Sequence, residues 1–226
     1  MLRAVLISLS ISTFASAAGG PLEEALAKMD QAAGTLKDLS ADLTRTHHVA
    51  LINEDTVDKG VIYIKRPKSH ELLMHVVIRM PDPKEFAYDA RRAEVYYPKS
   101  QTEEIYDVGK YKNLADQLLL LGFGTTSKEL AEGYTIALGG AEVLNGQKMA
   151  RLELTPKSDE LHLKRVDLWI SDQTGLPMQQ KLFWPGPNGG DYDIATYTNM
   201  KVNPNLPEST FKLTLPKGTK KQFPQK

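Results

Sequence analysis

From residue 40 onward the chain alternates apolar and polar residues with period two, in short segments that recur about every ten residues. That pattern commits most of the chain to antiparallel strands joined by tight turns. The predicted strands before the midpoint are an extended segment at Ser40–Leu51, then Val57–Arg66, His70–Arg79, Glu85–Asp89, Ala93–Tyr97 and Glu103–Val108. Turns fall at Asn53-Glu54-Asp55, Pro81-Asp82-Pro83 and Arg91-Arg92, and Pro67 stops the second strand. Strands resume at Tyr134–Leu138, Ala141–Leu144, Lys148–Thr155, Arg165–Ser171, Pro177–Trp184, Tyr192–Val202 and Phe211–Leu215. Asn145-Gly146 is a strong hairpin signal. Helical periodicity interrupts the strands at three places. Residues 21–39 place Leu22, Leu26, Met29, Ala33, Leu36 and Leu39 on one stripe, behind Pro21 and Glu23-Glu24. Lys110–Leu121 forms a second helix that ends at Gly122-Phe123-Gly124, and Ser127-Lys128-Glu129-Leu130 reads as the cap and first turn of a third. About eleven strands with two or three helices imply an α+β fold in one domain. A strongly twisted sheet of this kind can curl into an open barrel whose inner face the helices cover.

The first 18 residues have a different character. Arg3 precedes an uncharged, mostly apolar run at Ala4–Phe14, followed by Ala15-Ser16-Ala17-Ala18. This is the pattern of a cleavable signal peptide, and the run is too short to span a bilayer as a helix. Residues 19–226 are then the mature domain, about 208 residues, enough for a sizeable core. The chain contains no cysteine, so it folds without disulfides and carries no cysteine-linked lipid anchor. Lys and Arg number 28 and Asp and Glu number 28, and loss of Arg3 leaves the mature chain at −1. That balance argues against nucleic acid as a partner. A local basic excess at Lys212, Lys217, Lys220, Lys221 and Lys226 has the character of a solvated tail.

Catalytic signatures are scarce. There is no cysteine nucleophile, no Gly-x-Ser-x-Gly elbow, no Walker loop and no dinucleotide fingerprint. His47 and His48 point to opposite faces of a strand, and His70, His75 and His162 lack the spacing of a metal-ligand set. Neither a metal nor a cofactor is expected. Glu103-Glu104 and Asp191/Asp193 are acid pairs of the kind glycosidases use, and also of the kind found on ordinary turns and edges.

The chemistry that remains is apolar surface. Leu72, Met74, Val76 and Ile78 share one strand face, and Val166, Leu168 and Ile170 share another. The run Leu118–Leu121, which includes Leu119, exceeds what one helix stripe requires. An ordinary core needs these residues, and so does a binding protein that packs them less completely. Gly60-Val-Ile-Tyr-Ile-Lys65-Arg66-Pro67 resembles the second-strand motif of the LolA-type outer-membrane lipoprotein carriers. The segment Tyr88-Asp89 through Val95-Tyr96-Tyr97-Pro98 is similar to a following family motif. The ending from Asn199 through Asn203-Pro, Leu206-Pro, Phe211, Pro216 and Gly218 looks like the family's closing segment. His70 and Leu72 stand where the family has aromatic residues.

The resemblance implies an unclosed antiparallel barrel with an apolar concave face under a helical lid, and Arg66 as the latch that donates to lid backbone and holds the empty form closed. Ile62 and Ile64 share the face of Arg66 by strand parity, and with Leu72, Met74, Val76, Ile78, Leu118, Leu119, Leu121, Phe123, Val166, Leu168 and Ile170 they would line the cavity. The implied protein is a monomeric, non-enzymatic periplasmic shuttle. Its cargo would be an acylated lipoprotein or a related lipid, its partners an inner-membrane ABC exporter and an outer-membrane acceptor. Two rivals stand beside it. One is an envelope-stress sensor of the same fold that reports to an anti-sigma factor, although such sensors carry a second domain for which this chain is short. The other is a secreted hydrolase that uses paired carboxylates.

Overall fold

A computed structural model describes residues 19–66 and 72–225 of the chain. The expected signal segment, and with it Pro67 and His70, lies outside the described residues. Helix α1 (Pro21–Thr35) opens as the sequence predicts, with Pro21 and both glutamates in its first turn. It ends four residues before the apolar stripe does. The cause is Asn203, which sits at φ 55°. Its side-chain oxygen accepts from the backbone N–H of Lys37 (2.8 Å) and Asp38 (3.3 Å), and its amide donates to the Thr35 carbonyl (3.0 Å). Leu36 and Leu39 still reach the core, but from the start of a strand rather than from the helix.

That strand, β1 (Asp38–Val49), pairs along its whole length with β2 (Glu54–Lys65). The chain then meanders through β3 (Leu73–Met80), β4 (Lys84–Tyr88), β5 (Arg92–Tyr97) and β6 (Thr102–Asp107). Helices α2 (Lys112–Leu120) and α3 (Ser127–Gly133) follow. A second meander comprises β7 (Tyr134–Leu144), β8 (Gln147–Pro156), β9 (Arg165–Ser171), β10 (Pro177–Phe183) and β11 (Tyr192–Val202). β11 pairs with the free side of β1 and joins both halves into one sheet, in the order β12-β6-β5-β4-β3-β2-β1-β11-β10-β9-β8-β7. All ladders are antiparallel except that of β12 (Lys220–Gln222), which lies parallel to β6. The edges β12 and β7 are not paired to each other, so the barrel is unclosed as expected.

Two strand expectations need correction. Tyr134–Leu138 and Ala141–Leu144 are a single strand, because Gly139-Gly140 forms an irregularity in the ladder to β8 and not a turn. Phe211–Leu215 is not a strand. Phe211 closes a short 3₁₀ turn whose backbone lies over the outer face of β3, where Thr210 O accepts from His75 Nδ1 (2.6 Å). Lys65 Nζ donates to Leu206 O beside it (2.6 Å), so tertiary anchors decide that segment.

The apolar side chains divide into two clusters. One gathers β1, β2 and β3 with Tyr88, Leu120, Phe123 and Tyr197. The other places α1, through Ala25 and Met29, against β8, β9, Leu121, Leu130 and Tyr134. The first cluster depends on close strand approach at Gly60, where the β2–β3 register shifts and a Cβ would lie 2.0 Å from the Val77 carbonyl oxygen. Gly60→Ala is therefore expected to destabilise the protein by about 1–3 kcal/mol. The check is the denaturant midpoint at unchanged m-value, and an unshifted midpoint would contradict the close approach.

Candidate functional site

The register aligns one apolar face across the sheet. Leu39, Ala41 and Leu43 of β1 stand opposite Ile64, Ile62 and Gly60 of β2, which stand opposite Met74, Val76 and Ile78 of β3. On the other half, Val166, Leu168 and Ile170 of β9 face Leu154, Leu152 and Ala150 of β8. The residues singled out from the sequence therefore lie on one face but in two groups. Ile62, Ile64, Leu72, Met74, Ile78 and Phe123 belong to the first cluster, with Val76 and Leu119 packed against it. Leu121, Val166, Leu168 and Ile170 belong to the second, with Leu118 packed against it.

α1 covers the β8–β9 half of this face, and the segment from α2 to α3 covers the rest. Leu120, Leu121 and Phe123 are at most 7% exposed, and the Phe123 ring meets Tyr197 edge-on at 4.9 Å. The chain turns sharply here, with Leu121 at φ 22°, Gly122 at 93° and Gly124 at 67°. One buried polar chain ties this lid to the sheet. The Tyr197 hydroxyl donates to Gln180 Oε1 (3.0 Å), and Gln180 Nε2 donates to the Leu121 carbonyl (2.9 Å). Burial pushes the Tyr197 phenol well above its ordinary range, so it remains a neutral donor. Further ties hold the lid's ends. Tyr88 donates to Asp116 of α2 (2.7 Å), and Asp116 also pairs with Lys112. Asp30 of α1 accepts from Ser127 through N–H (2.5 Å) and hydroxyl (2.7 Å). The cap of α3 is Thr126, one residue before the expected Ser127, in a reciprocal capping box with Glu129.

Arg66 leaves the end of β2 toward the same lid. Its side chain is 12% exposed and lies 3.9 Å from Glu129 Oε1. It presses on the lid loop at Gly124, where a Cβ would stand 2.8 Å from Arg66 Cδ. Among the described residues its guanidinium donates to no lid carbonyl, and the Leu121 carbonyl in the lid turn is held by Gln180 instead. Beside Arg66, α2 and α3 enclose a cavity of about 260 Å³ lined by Asp116, Gln117, Thr125, Glu129 and Tyr134 among others.

The acid pairs noted in the sequence, and His47 and His48, have structural partners. Asp193 accepts from Arg45 (2.6 Å) and Trp184 (2.8 Å) and meets His47 (3.1 Å), while Asp191 accepts from the Ala50 N–H (2.9 Å). Glu103 pairs with Lys221 (3.1 Å), and Glu104 accepts from Tyr106 (2.7 Å). His48 bonds Asp55 (2.7 Å) and stacks on Tyr192. Among the described residues no cluster of three metal-ligating groups occurs, and no helix is long and apolar enough to cross a membrane.

No family model and no curated protein matches the sequence. Solved structures do match. An uncharacterized conserved protein from Thermus thermophilus overlaps 89% of this chain and 98% of its own at TM-score 0.56 and 13% identity. MucB overlaps 87% of this chain at TM-score 0.52 and 16% identity, and this chain spans only 64% of MucB. A LolA superfamily protein from Nitrosomonas europaea also matches, at TM-score 0.41, 14% identity, and 85% and 97% coverage. The fold is the one shared with the Thermus thermophilus protein and MucB. At these identities the likeness is one of architecture.

Gln180 and Tyr197 were not singled out from the sequence. The available signal was parity, since Gln180 stands opposite Leu168 and is thus a polar residue on the apolar face. Gln180→Leu is expected to loosen the lid. Amide exchange across residues 119–124 should quicken about tenfold, the worth of one net hydrogen bond. Unchanged exchange would mean that packing alone holds the lid.

Proposed function

We propose that the protein is a carrier of acylated amphiphiles, lipoproteins or related lipids, across the aqueous space between two membranes. The observation that carries this reading is that the inner face of the sheet is covered by lid side chains and not by sheet closure. Leu120, Leu121 and Phe123 occupy the concave face, and an acyl chain entering there replaces apolar contacts with apolar contacts. Each buried CH₂ of cargo contributes about 0.8 kcal/mol, so partial burial is enough for binding. Against that gain stand the lid's packing and its few polar ties, which keep the empty form closed and loading reversible.

In this reading Arg66 is a gate. It reaches the lid through Gly124 and Glu129, and a charge with 12% of its side chain exposed favours an arrangement that supplies acceptors. The carrier would work in the periplasm as a monomer, take cargo from an inner-membrane ABC exporter and yield it to an outer-membrane acceptor that binds more tightly. A non-enzymatic role is supported by the engagement of the paired carboxylates with backbone, arginine and lysine partners.

Native mass spectrometry of protein purified from an envelope fraction, followed by lipid extraction, tests the reading. An acylated species should accompany the protein, and its consistent absence would defeat the carrier assignment. Arg66→Leu should slow cargo release to an acceptor membrane several-fold. Release at the unaltered rate would remove Arg66 from the gate.

A further inference from the structure

The inner face changes character part-way along β1 and β2. From the lid end, three apolar rows cross β1, β2 and β3: Leu39–Ile64–Met74, Ala41–Ile62–Val76 and Leu43–Gly60–Ile78. Together they span about 13 Å. The next two inward positions of β1 are Arg45 and His47, and the next of β2 is Asp58. β11 contributes Asp193 opposite His47, and β4 contributes Lys84 opposite Ile78. These side chains join into one belt. Asp193 accepts from Arg45 (2.6 Å) and Trp184 (2.8 Å) and meets His47 (3.1 Å). The buried Asp58 pairs with Lys84 (3.2 Å) and Arg45 (3.7 Å). The β2–β3 ladder begins only at Lys59, so Asp58 has no β3 partner and bonds Lys84 of β4 instead.

Stability does not call for charge at this level. On β10, β9 and β8 the inner face stays apolar there, with Leu182, Val166 and Leu154 in one row. Asp193 stands opposite Leu182, so the change falls between β10 and β11. A partly buried ion-pair network is commonly no more stable than apolar side chains of like volume. What the belt does alter is the surface offered to an apolar object lying on the first cluster. A methylene that passes Leu43 and Ile78 meets Arg45, Asp58 and Lys84. It gains no apolar contact there, and it strips water or a partner from a carboxylate. The first cluster therefore ends on a polar floor, whereas the second runs on through Leu182 and Trp184.

We propose that the belt of Arg45, Asp58, Lys84 and Asp193 is the length stop of the first apolar cluster. It fixes the longest acyl chain that gains affinity by lying there. The belt selects by ending the apolar surface and not by touching a head group. The proposal rests on the carrier reading above and names the residues that set which chains the carrier accepts.

The test is displacement of a fluorescent fatty-acid probe from the purified protein by lysophosphatidylcholines of increasing acyl length, each kept below its micelle threshold. In the parent protein each added CH₂ should tighten binding roughly fourfold up to one length, and by nothing beyond it. Asp58→Leu combined with Lys84→Met removes one charge of each sign and leaves Arg45 paired with Asp193. That variant should carry the gain to longer chains, about tenfold over the first CH₂ groups past the parent's limit. Lys84→Met alone keeps Asp58 beside Arg45 and should move the limit part of the way, which keeps the test decisive if the double variant does not fold. Lys84→Arg should leave the limit in place. A parent profile without a limit would overturn the length stop and leave the carrier reading intact. So would a limit that stays fixed in both Lys84→Met variants, or one that Lys84→Arg moves just as far. An equal loss of affinity at every length would assign the belt to the fold and also overturn the stop. Probe binding that no lipid displaces, or no probe binding at all, would remove the carrier reading as well.

Discussion

An antiparallel sheet that stops short of closure leaves its inner face without a partner, and the organisation of this protein follows from that. Among the described residues twelve strands curl, but the edge strands β12 and β7 do not pair with each other. The inward residues of β1, β2, β3, β8 and β9 must then be shielded from water by something other than strands. Helix α1 shields one half, and the segment from Leu120 to Phe123 shields the middle. That cover is helix and loop held by side chains, and under the proposed carrier function it is what an apolar cargo would replace.

A few polar groups fix where that cover sits. Gln180 is a polar residue on an otherwise apolar strand face, fully engaged between Tyr197 and the Leu121 carbonyl. It fixes where the lid sits at the cost of one desolvated amide, and a single hydrogen bond of this kind is weak enough to break. The outer wall is treated differently. The chain after β11 lies over β2 and β3 through Lys65, His75 and Phe211, and then adds β12 to the edge.

Much of this architecture was legible in the chain because strand periodicity and turn chemistry are local. Val57 to Arg66, Tyr192 to Val202 and the Asn145-Gly146 hairpin needed no tertiary information beyond alternation and a positive-φ turn. The errors fell where a distant residue intervened. Asn203 ended α1 from more than 160 positions away, and the outer face of β3 converted Phe211 from a strand residue into an anchor. Gly139-Gly140 resembled a turn because glycine serves turns and ladder irregularities equally.

The candidate site divides in the same way. By itself the sequence determined that Ile62, Met74 and Leu168 face inward, since a one-residue slip would expose every one of them. It also placed Arg66 on their side of β2, in a motif resembling the LolA-type carriers. Which carbonyl is held, and by what, only the tertiary structure decided. The contact between Gln180 and Leu121 joins residues 59 apart, and the meeting of Thr125, Tyr134 and Arg66 around one cavity joins three separate elements. Hydrogen bonds and cavities depend on positions to within a fraction of an ångström, and chain periodicity sets only which face a side chain occupies.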